Sequence, residues 1–136
     1  MSTADASIAI VRRFVEAENH HDLEAIAGLM ADDCEFYGNG ALVAPTWAQY
    51  RPIMSATLAA FPDSHREVLE VAAQGDLAAF RWKVTATHSA PWNGIPASGK
   101  PVVFNGTSWI RVASGRITTA WFDMDLAGPL RQMTGA

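Results

Sequence analysis

Two carboxylates separated by a single residue, Asp123-Met124-Asp125, follow directly on a stretch of alternating character near the end of this chain. Ile117, Thr119, Trp121 and Asp123 share one face of that stretch, and continued extension adds Asp125 to it. An acid two residues beyond a buried-face Trp is expected among apolar side chains instead of water, where its charged form is disfavoured. A carboxyl group desolvated in this way can remove or deliver a proton beside a bound carbonyl, the step that enolisation, aldol closure or double-bond migration requires. The same residues have a plainer reading. Asp125 caps a C-terminal helix containing Leu126, Leu130 and Met133, and Asp123 is solvated near a strand end. The two readings are compatible, because one oxygen can cap while the group lines a pocket mouth.

His88 ends the run Phe80-Trp82-Val84-Ala86, which points to one side of a strand, so its imidazole is expected at the wall or rim of whatever that face encloses. There it could donate to a substrate carbonyl, or it could be a satisfied core histidine. Glu18 falls on the apolar stripe of the first helix, and Tyr37 and Asn105 are polar groups on strands that could reach the interior; each also has a structural reading. The tryptophans at 47, 82, 92, 109 and 121 are many for this length and suit a pocket for flat, apolar ligands, although core packing accounts for some of them. Trp121, Trp82, Phe14, Tyr37, Trp47, Met54 and Asn105 are the expected substrate-binding residues. His20-His21 has no carboxylate or cysteine at metal-ligand spacing, so no metal is expected. Cys34 stands alone between Asp33 and Glu35, whose charges oppose thiolate formation, and is read as structural. Neither a Gly-rich phosphate loop nor a nucleophile elbow is present.

The elements that must position these residues divide into a helical half and a strand half. Ile8, Val11, Phe14 and Val15 recur at helical spacing over 3–20 behind a Ser2/Asp5 capping box. Asp22 caps a short second helix carrying Leu23, Ile26 and Met30; Ala31-Asp32-Asp33 is the expected turn after it, and 34–37 reads as a short strand. Thr46 and Gln49 open a third helix with Trp47, Tyr50, Met54, Leu58 and Phe61 on its stripe, which Pro52 either kinks or restarts. From Phe61-Pro62-Asp63 the period becomes alternating, and four strands are expected near 65–74, 77–88, 101–113 and 116–124. Turns at Gln74-Gly75-Asp76, Asn93-Gly94 and Ser114-Gly115 join them as an antiparallel meander, giving an α+β domain spanning 1–136.

Composition narrows the partners. At 136 residues and 49% hydrophobic content the chain can bury a single core without disulfides. Its net charge of -4 and lack of a dense Lys/Arg cluster argue against nucleic acid. No apolar run approaches the roughly 18 residues of a membrane span, and the opening residues lack a basic n-region. A cytoplasmic location with no membrane association is expected.

Four short segments stand out in the first half of the chain: Phe14-Val15-Glu16-Ala17, His21-Asp22-Leu23, Cys34-Glu35-Phe36 and Phe61-Pro62-Asp63. More specific are Thr87-His88, the segment Gly94-Ile95-Pro96-Ala97-Ser98-Gly99-Lys100, Gly115-Arg116-Ile117, Trp121, and Asp125 with Gly128, Leu130 and Gln132. In this series the sequence resembles the SnoaL-like polyketide cyclases, or ester cyclases, of the nuclear transport factor 2-like superfamily, over nearly the whole chain. The resemblance implies a cone-shaped, curved antiparallel sheet packed on three N-terminal helices, also described as cystatin-like, with an enclosed pocket, no cofactor, and frequent homodimers formed through the outer sheet face. It further implies that Asp125 is the acid/base of an intramolecular aldol closure, with His88 at a recurring family position. Thr119, where many relatives have Glu, Pro129, and the extra carboxylate of Asp123 depart from the pattern and leave the substrate open.

The reading that results is a cofactor-independent acid/base enzyme acting on an apolar, polycyclic carbonyl compound, with Asp125 transferring the proton and His88 or Asp123 polarising the carbonyl. The alternatives are a dehydratase, isomerase or epoxide hydrolase on the same fold, or a noncatalytic small-molecule binding module.

Overall fold

In the computed structural model, which describes residues 2–135, Ser2 and Asp5 form the expected capping box at the start of α1 (Thr3–Asn19). The helix buries Ile10, Val11 and Val15, and its Ser7 hydroxyl donates to the Gly75 carbonyl at 2.8 Å, tying the helix to a strand turn far along the chain. Asp22 caps α2 (Leu23–Leu29) by accepting from the Ala25 amide at 3.0 Å. The turn expected at Ala31-Asp32-Asp33 is absent. Strand β1 (Met30–Gly38) runs through it, and the acidic residues bulge out of the ladder between the pairs Met30/Ile117 and Glu35/Thr119. A bulge lets exposed acids bend away while Met30 and Cys34 stay buried on either side.

Asn39 and Gly40, both at positive φ, then turn the chain into a short strand, β2 (Ala41–Ala44), that sequence analysis did not anticipate. The Asn-Gly pair that such hairpins favour was its signal. Thr46 caps α3 (Trp47–Ala60), a single helix with Pro52 inside it, so the chain does not restart a helix at the proline.

The strand half follows as β3 (His65–Gln74), β4 (Leu77–Thr87), β5 (Pro101–Ala113) and β6 (Arg116–Met124), close to the expected limits, and a C-terminal helix, α4 (Ala127–Thr134), closes the chain. The sheet order is β2-β1-β6-β5-β4-β3. The last four strands are the antiparallel meander; β1 joins β6 in parallel, so the six-stranded sheet is mixed. Asp63, at the entry to β3, accepts from the Thr87 amide and hydroxyl, both at 2.7 Å, and fastens the start of β3 to the end of β4. Among the described residues no helix is long and apolar enough to cross a membrane.

The inner sheet face carries Phe80, Trp82, Val84 and Ala86 of β4 and Val102, Phe104, Ser108 and Ile110 of β5, all buried. Trp82 lies so close to β5 that a Cβ on Gly106 would stand 2.5 Å from its ring and 2.6 Å from the Asp123 carbonyl. The face assignment expected for β6 is corrected. Ile117 pairs with Val112 but Thr119 pairs with Arg111, leaving Thr118 as an extra residue that reverses the alternation. Ala120, Phe122 and Met124 therefore join the core, while Thr119, Trp121 and Asp123 pair with the outward-facing Arg111, Trp109 and Thr107.

Gly106→Ala is expected to cost about 1–3 kcal/mol through overpacking against Trp82, read as a lower urea midpoint at unchanged slope. Asp63 offers a pH test. Hydrogen bonds from the Thr87 amide and hydroxyl, with the His21 charge nearby, hold its carboxyl below the ordinary value of 3.8. A group whose value falls on folding stabilises above its unfolded value and loses that contribution as pH drops through the folded one. The stability advantage of the wild type over Asp63→Asn should thus be full at neutral pH and fade as pH falls below 3.8. An advantage that persists in acid would contradict the assignment.

Candidate active site

Between the inner sheet face and helices α1 and α3 lies a cavity of about 390 Å³. Phe14, Met54, Phe80, Trp82, Phe104 and Phe122 are among the apolar residues of its wall, which presents a ligand with several aromatic faces. A second hollow of about 630 Å³ lies against Leu69, Arg81, Asn105, Thr107, Asp123 and Asp125. The inner cavity is the more enclosed and more apolar of the two, and is therefore the candidate site.

The polar end of the cavity is built by α1, α3 and β3. Asn19, the last residue of α1, uses its side-chain amide twice on Arg66: Oδ1 accepts from the Arg66 amide at 2.7 Å and Nδ2 donates to the Arg66 carbonyl at 3.0 Å. This clasp sets the register of β3 against α1 and turns the Arg66 side chain inward, opposite Val84. Its Nη1 meets Glu18 Oε1 at 2.6 Å, and both side chains are about 85% buried, at 15% and 14% exposure. The guanidinium carbon sits 4.3 Å from the centroid of the Trp82 ring, whose Nε1 donates to Ser108 at 2.9 Å. Stacking on the indole supplies part of what water would give the cation. The Arg66 Nε is shut in without a hydrogen-bond partner among the described residues.

Tyr50 completes this end. Its ring stacks on Phe36, with centroids 4.0 Å apart and planes 5° from parallel. Burial first, and then the Glu18 charge, push its phenol above the ordinary range, with Arg66 pulling the other way. Tyr50 is thus a neutral O–H donor lining the cavity at neutral pH.

The structure separates the residues that the sequence singled out. Phe14, Trp82 and Met54 line the cavity; Trp121 borders it, although its ring stacks against Tyr37 on the outer face with centroids 6.2 Å apart. Tyr37 and Asn105 lie on that outer face, and Trp47 is buried beside Phe36 away from the cavity wall. Asp123 is exposed on the outer face, so the desolvation expected for it is missing; the extra residue in β6 is the cause. Asp125 accepts from the Gly128 amide with both oxygens at 3.2 Å, the helix-capping contact of the plainer reading, and it too faces the outer hollow. Its neighbours Met124 and Leu126 line the cavity, which puts Asp125 at the mouth. Asn39 holds the end of β6 there, accepting from the Met124 amide at 2.8 Å and donating to its carbonyl at 3.1 Å.

His88 is fully buried behind Phe61. The Ser98 amide reaches its Nδ1 at 3.3 Å and the Ser98 hydroxyl at 2.9 Å, which makes Nδ1 an acceptor and leaves the proton on Nε2. Nε2 has no hydrogen-bond partner among the described residues. Cys34 is buried, and that burial, with Asp33 and Glu35 beside it, pushes its thiol up to about 12. Sequence analysis missed Arg66 altogether and saw Tyr50 only as part of a helical stripe. The available signal was parity: Arg66 shares the inward face of β3 with Val68, and a lone cation there calls for an acid such as Glu18 on the facing helix stripe.

A sequence model of the SnoaL-like polyketide cyclases matches residues 8–133. The chain belongs to this family. No curated protein matches the sequence. Among solved structures, this SnoaL-like chain is similar to AclR of Streptomyces galilaeus, proposed to be a hydroxylase, at 27% identity and a TM-score of 0.87, with 96% of each chain covered. It is equally similar in sequence to IdmH of Streptomyces antibioticus, proposed to be a polyketide cyclase, at 27% identity and a TM-score of 0.82 over 96% of this chain and 99% of that one. A SnoaL-like protein of Jannaschia shares the fold at a TM-score of 0.92 but only 16% identity, covering 100% of this chain and 96% of its own. The fold is the nuclear transport factor 2-like one implied by the sequence resemblance, with helices packed on a curved mixed sheet.

The Glu18–Arg66 pair gives the SnoaL-like scaffold a measurable dependence. Removing one partner leaves a buried charge uncompensated, so Arg66→Met should cost about 3–5 kcal/mol. The double variant Glu18→Gln/Arg66→Met should recover much of that loss in a double-mutant cycle read by denaturant unfolding. Strict additivity of the two changes would mean that the pair is not coupled.

Proposed function

We propose that this SnoaL-like protein takes a flat, apolar carbonyl compound into the inner cavity and performs cofactor-independent acid/base chemistry on it, of the kind that closes a ring by aldol addition. The observation that carries the reading is a largely apolar cavity in which Tyr50 offers a neutral donor and Glu18 is the sole carboxylate among the described lining residues. Glu18 meets Arg66 through Oε1, which leaves Oε2 as the oxygen to receive a proton. A proton leaving the carbon beside a bound carbonyl would pass to Oε2, the electron pair of the broken C–H bond would move onto the carbonyl oxygen, and the Tyr50 O–H would stabilise the charge that develops there. The enolate carbon would then add to a second carbonyl of the same molecule, and the oxygen of that carbonyl would take up the proton held on Oε2 as the new C–C bond forms. Family membership and the 27% identity to IdmH, itself proposed to be a polyketide cyclase, support this reaction class. Asp125, which the sequence resemblance puts forward as acid/base, is the competing proton carrier. Its place at the mouth would need a side-chain rotation away from the Gly128 amide to reach a ligand.

The test is deuterium exchange at the carbon beside the carbonyl of 2-tetralone, followed by NMR. The wild type should accelerate exchange saturably, and Glu18→Gln should lower that acceleration by about 100-fold or more while Asp125→Asn retains it. The reverse pattern would return the proton-transfer role to Asp125. Saturable binding with no exchange would leave a binding module and remove the enzymatic reading.

A further inference from the structure

The polar end of the cavity holds one cation and one anion, and each is engaged by the other. The Arg66 Nη1 meets Glu18 Oε1 at 2.6 Å, its Nε is buried without a hydrogen-bond partner among the described residues, and one face of its guanidinium is covered by Trp82 at 4.3 Å. A ligand carboxylate arriving here has to compete with Glu18 for the guanidinium before it can form two parallel bonds with the fork. It also meets the Glu18 carboxylate, and in a cavity walled by Phe14, Phe80, Trp82 and Phe104 neither charge is well screened. An uncharged carbonyl meets neither obstacle. It asks for one donor, and Tyr50 has an O–H with no protein acceptor among the described residues.

We infer that this cavity selects uncharged carbonyl compounds and excludes the matching carboxylates, with Glu18 setting the preference by occupying Arg66 and Tyr50 supplying the hydrogen bond that the carbonyl accepts. The inference rests on the inner cavity being the ligand site, as proposed above, and it concerns binding, so it holds whether or not the bound compound is turned over. A pocket gains selectivity as much from what it places against the wrong ligand as from what it offers the right one. Glu18 is that opposing element: neutralising it would convert a closed ion pair into a lone, partly desolvated guanidinium, which is a carboxylate-binding group.

The experiment is titration calorimetry at neutral pH with three probes of one shape: 2-acetylnaphthalene, 2-naphthoate and naphthalene. The wild type should bind the ketone at least about tenfold more tightly than the carboxylate, and Glu18→Gln should shift that ratio toward the carboxylate by about tenfold or more. Tyr50→Phe should weaken the ketone by about three- to tenfold, the value of one hydrogen bond, and leave naphthalene unchanged. Because Glu18→Gln leaves a buried cation without its partner and can impair folding, its circular dichroism is compared with the wild type, and Tyr50→Phe provides an independent measurement on a variant that keeps the ion pair. Equal binding of ketone and carboxylate by the wild type overturns the inference and leaves the cavity reading standing. So does an unchanged ratio in folded Glu18→Gln, or an unchanged ketone affinity in Tyr50→Phe. Failure of the wild type to bind any of the three probes overturns both.

Discussion

The cation of Arg66, held between the Glu18 carboxylate and the face of Trp82, is the contact on which the arrangement of this molecule turns. A charge this deeply placed is tolerated only while each of its supports is present. Those supports come from three elements far apart in the chain: Glu18 from the first helix, Arg66 from the third strand and Trp82 from the fourth. Trp82 in turn lies flat only because Gly106 on the next strand has no side chain, and its indole is steered by the Ser108 hydroxyl. Helix, strands and cavity wall are therefore fixed relative to one another by a layered stack running from a backbone glycine through an indole and a guanidinium to a carboxylate.

Two asparagine side chains serve as the frame around that stack. Asn19 holds both backbone groups of Arg66 at the entry to β3, and Asn39 holds both backbone groups of Met124 at the exit of β6. Each replaces a missing ladder partner at a strand end and so satisfies backbone groups that the sheet leaves open. One clasp fixes the polar end of the cavity, the other its mouth. The chemistry available to a bound compound follows from this division, with Tyr50 and the Glu18–Arg66 pair at one end and the Asp125 carboxylate stationed outside the other.

Much of the architecture was legible in the sequence because it depends on local rules. Capping residues at Ser2, Asp22 and Thr46 and the change of period after Phe61 mark the helices and the meander, and the inward series Phe80, Trp82, Val84 and Ala86 is as alternation requires. What was not legible depends on pairings between distant strands. The bulge at Thr118 exists because β6 must match β5 on one side and the irregular β1 on the other, and nothing within residues 116–124 announces it. That one residue moved Trp121 and Asp123 from the expected inner face to the outer one. The ion pair was hidden for the same reason: Glu18 and Arg66 are separated by most of the helical half, and only the packing of α1 over β3 makes them neighbours.

The same bulge gives this strand an unusual evolutionary lever. Beyond Thr118, every side chain of β6 owes its face to a single inserted residue, so losing that residue would exchange Ala120 and Phe122 for Trp121 and Asp123 along the cavity wall in one genetic event. Point substitution would need several coordinated steps to bring a carboxylate to that position. A change of strand length by one residue does it at once, and it offers descendants of this scaffold a short route between a wall that only encloses a ligand and one that carries an acid.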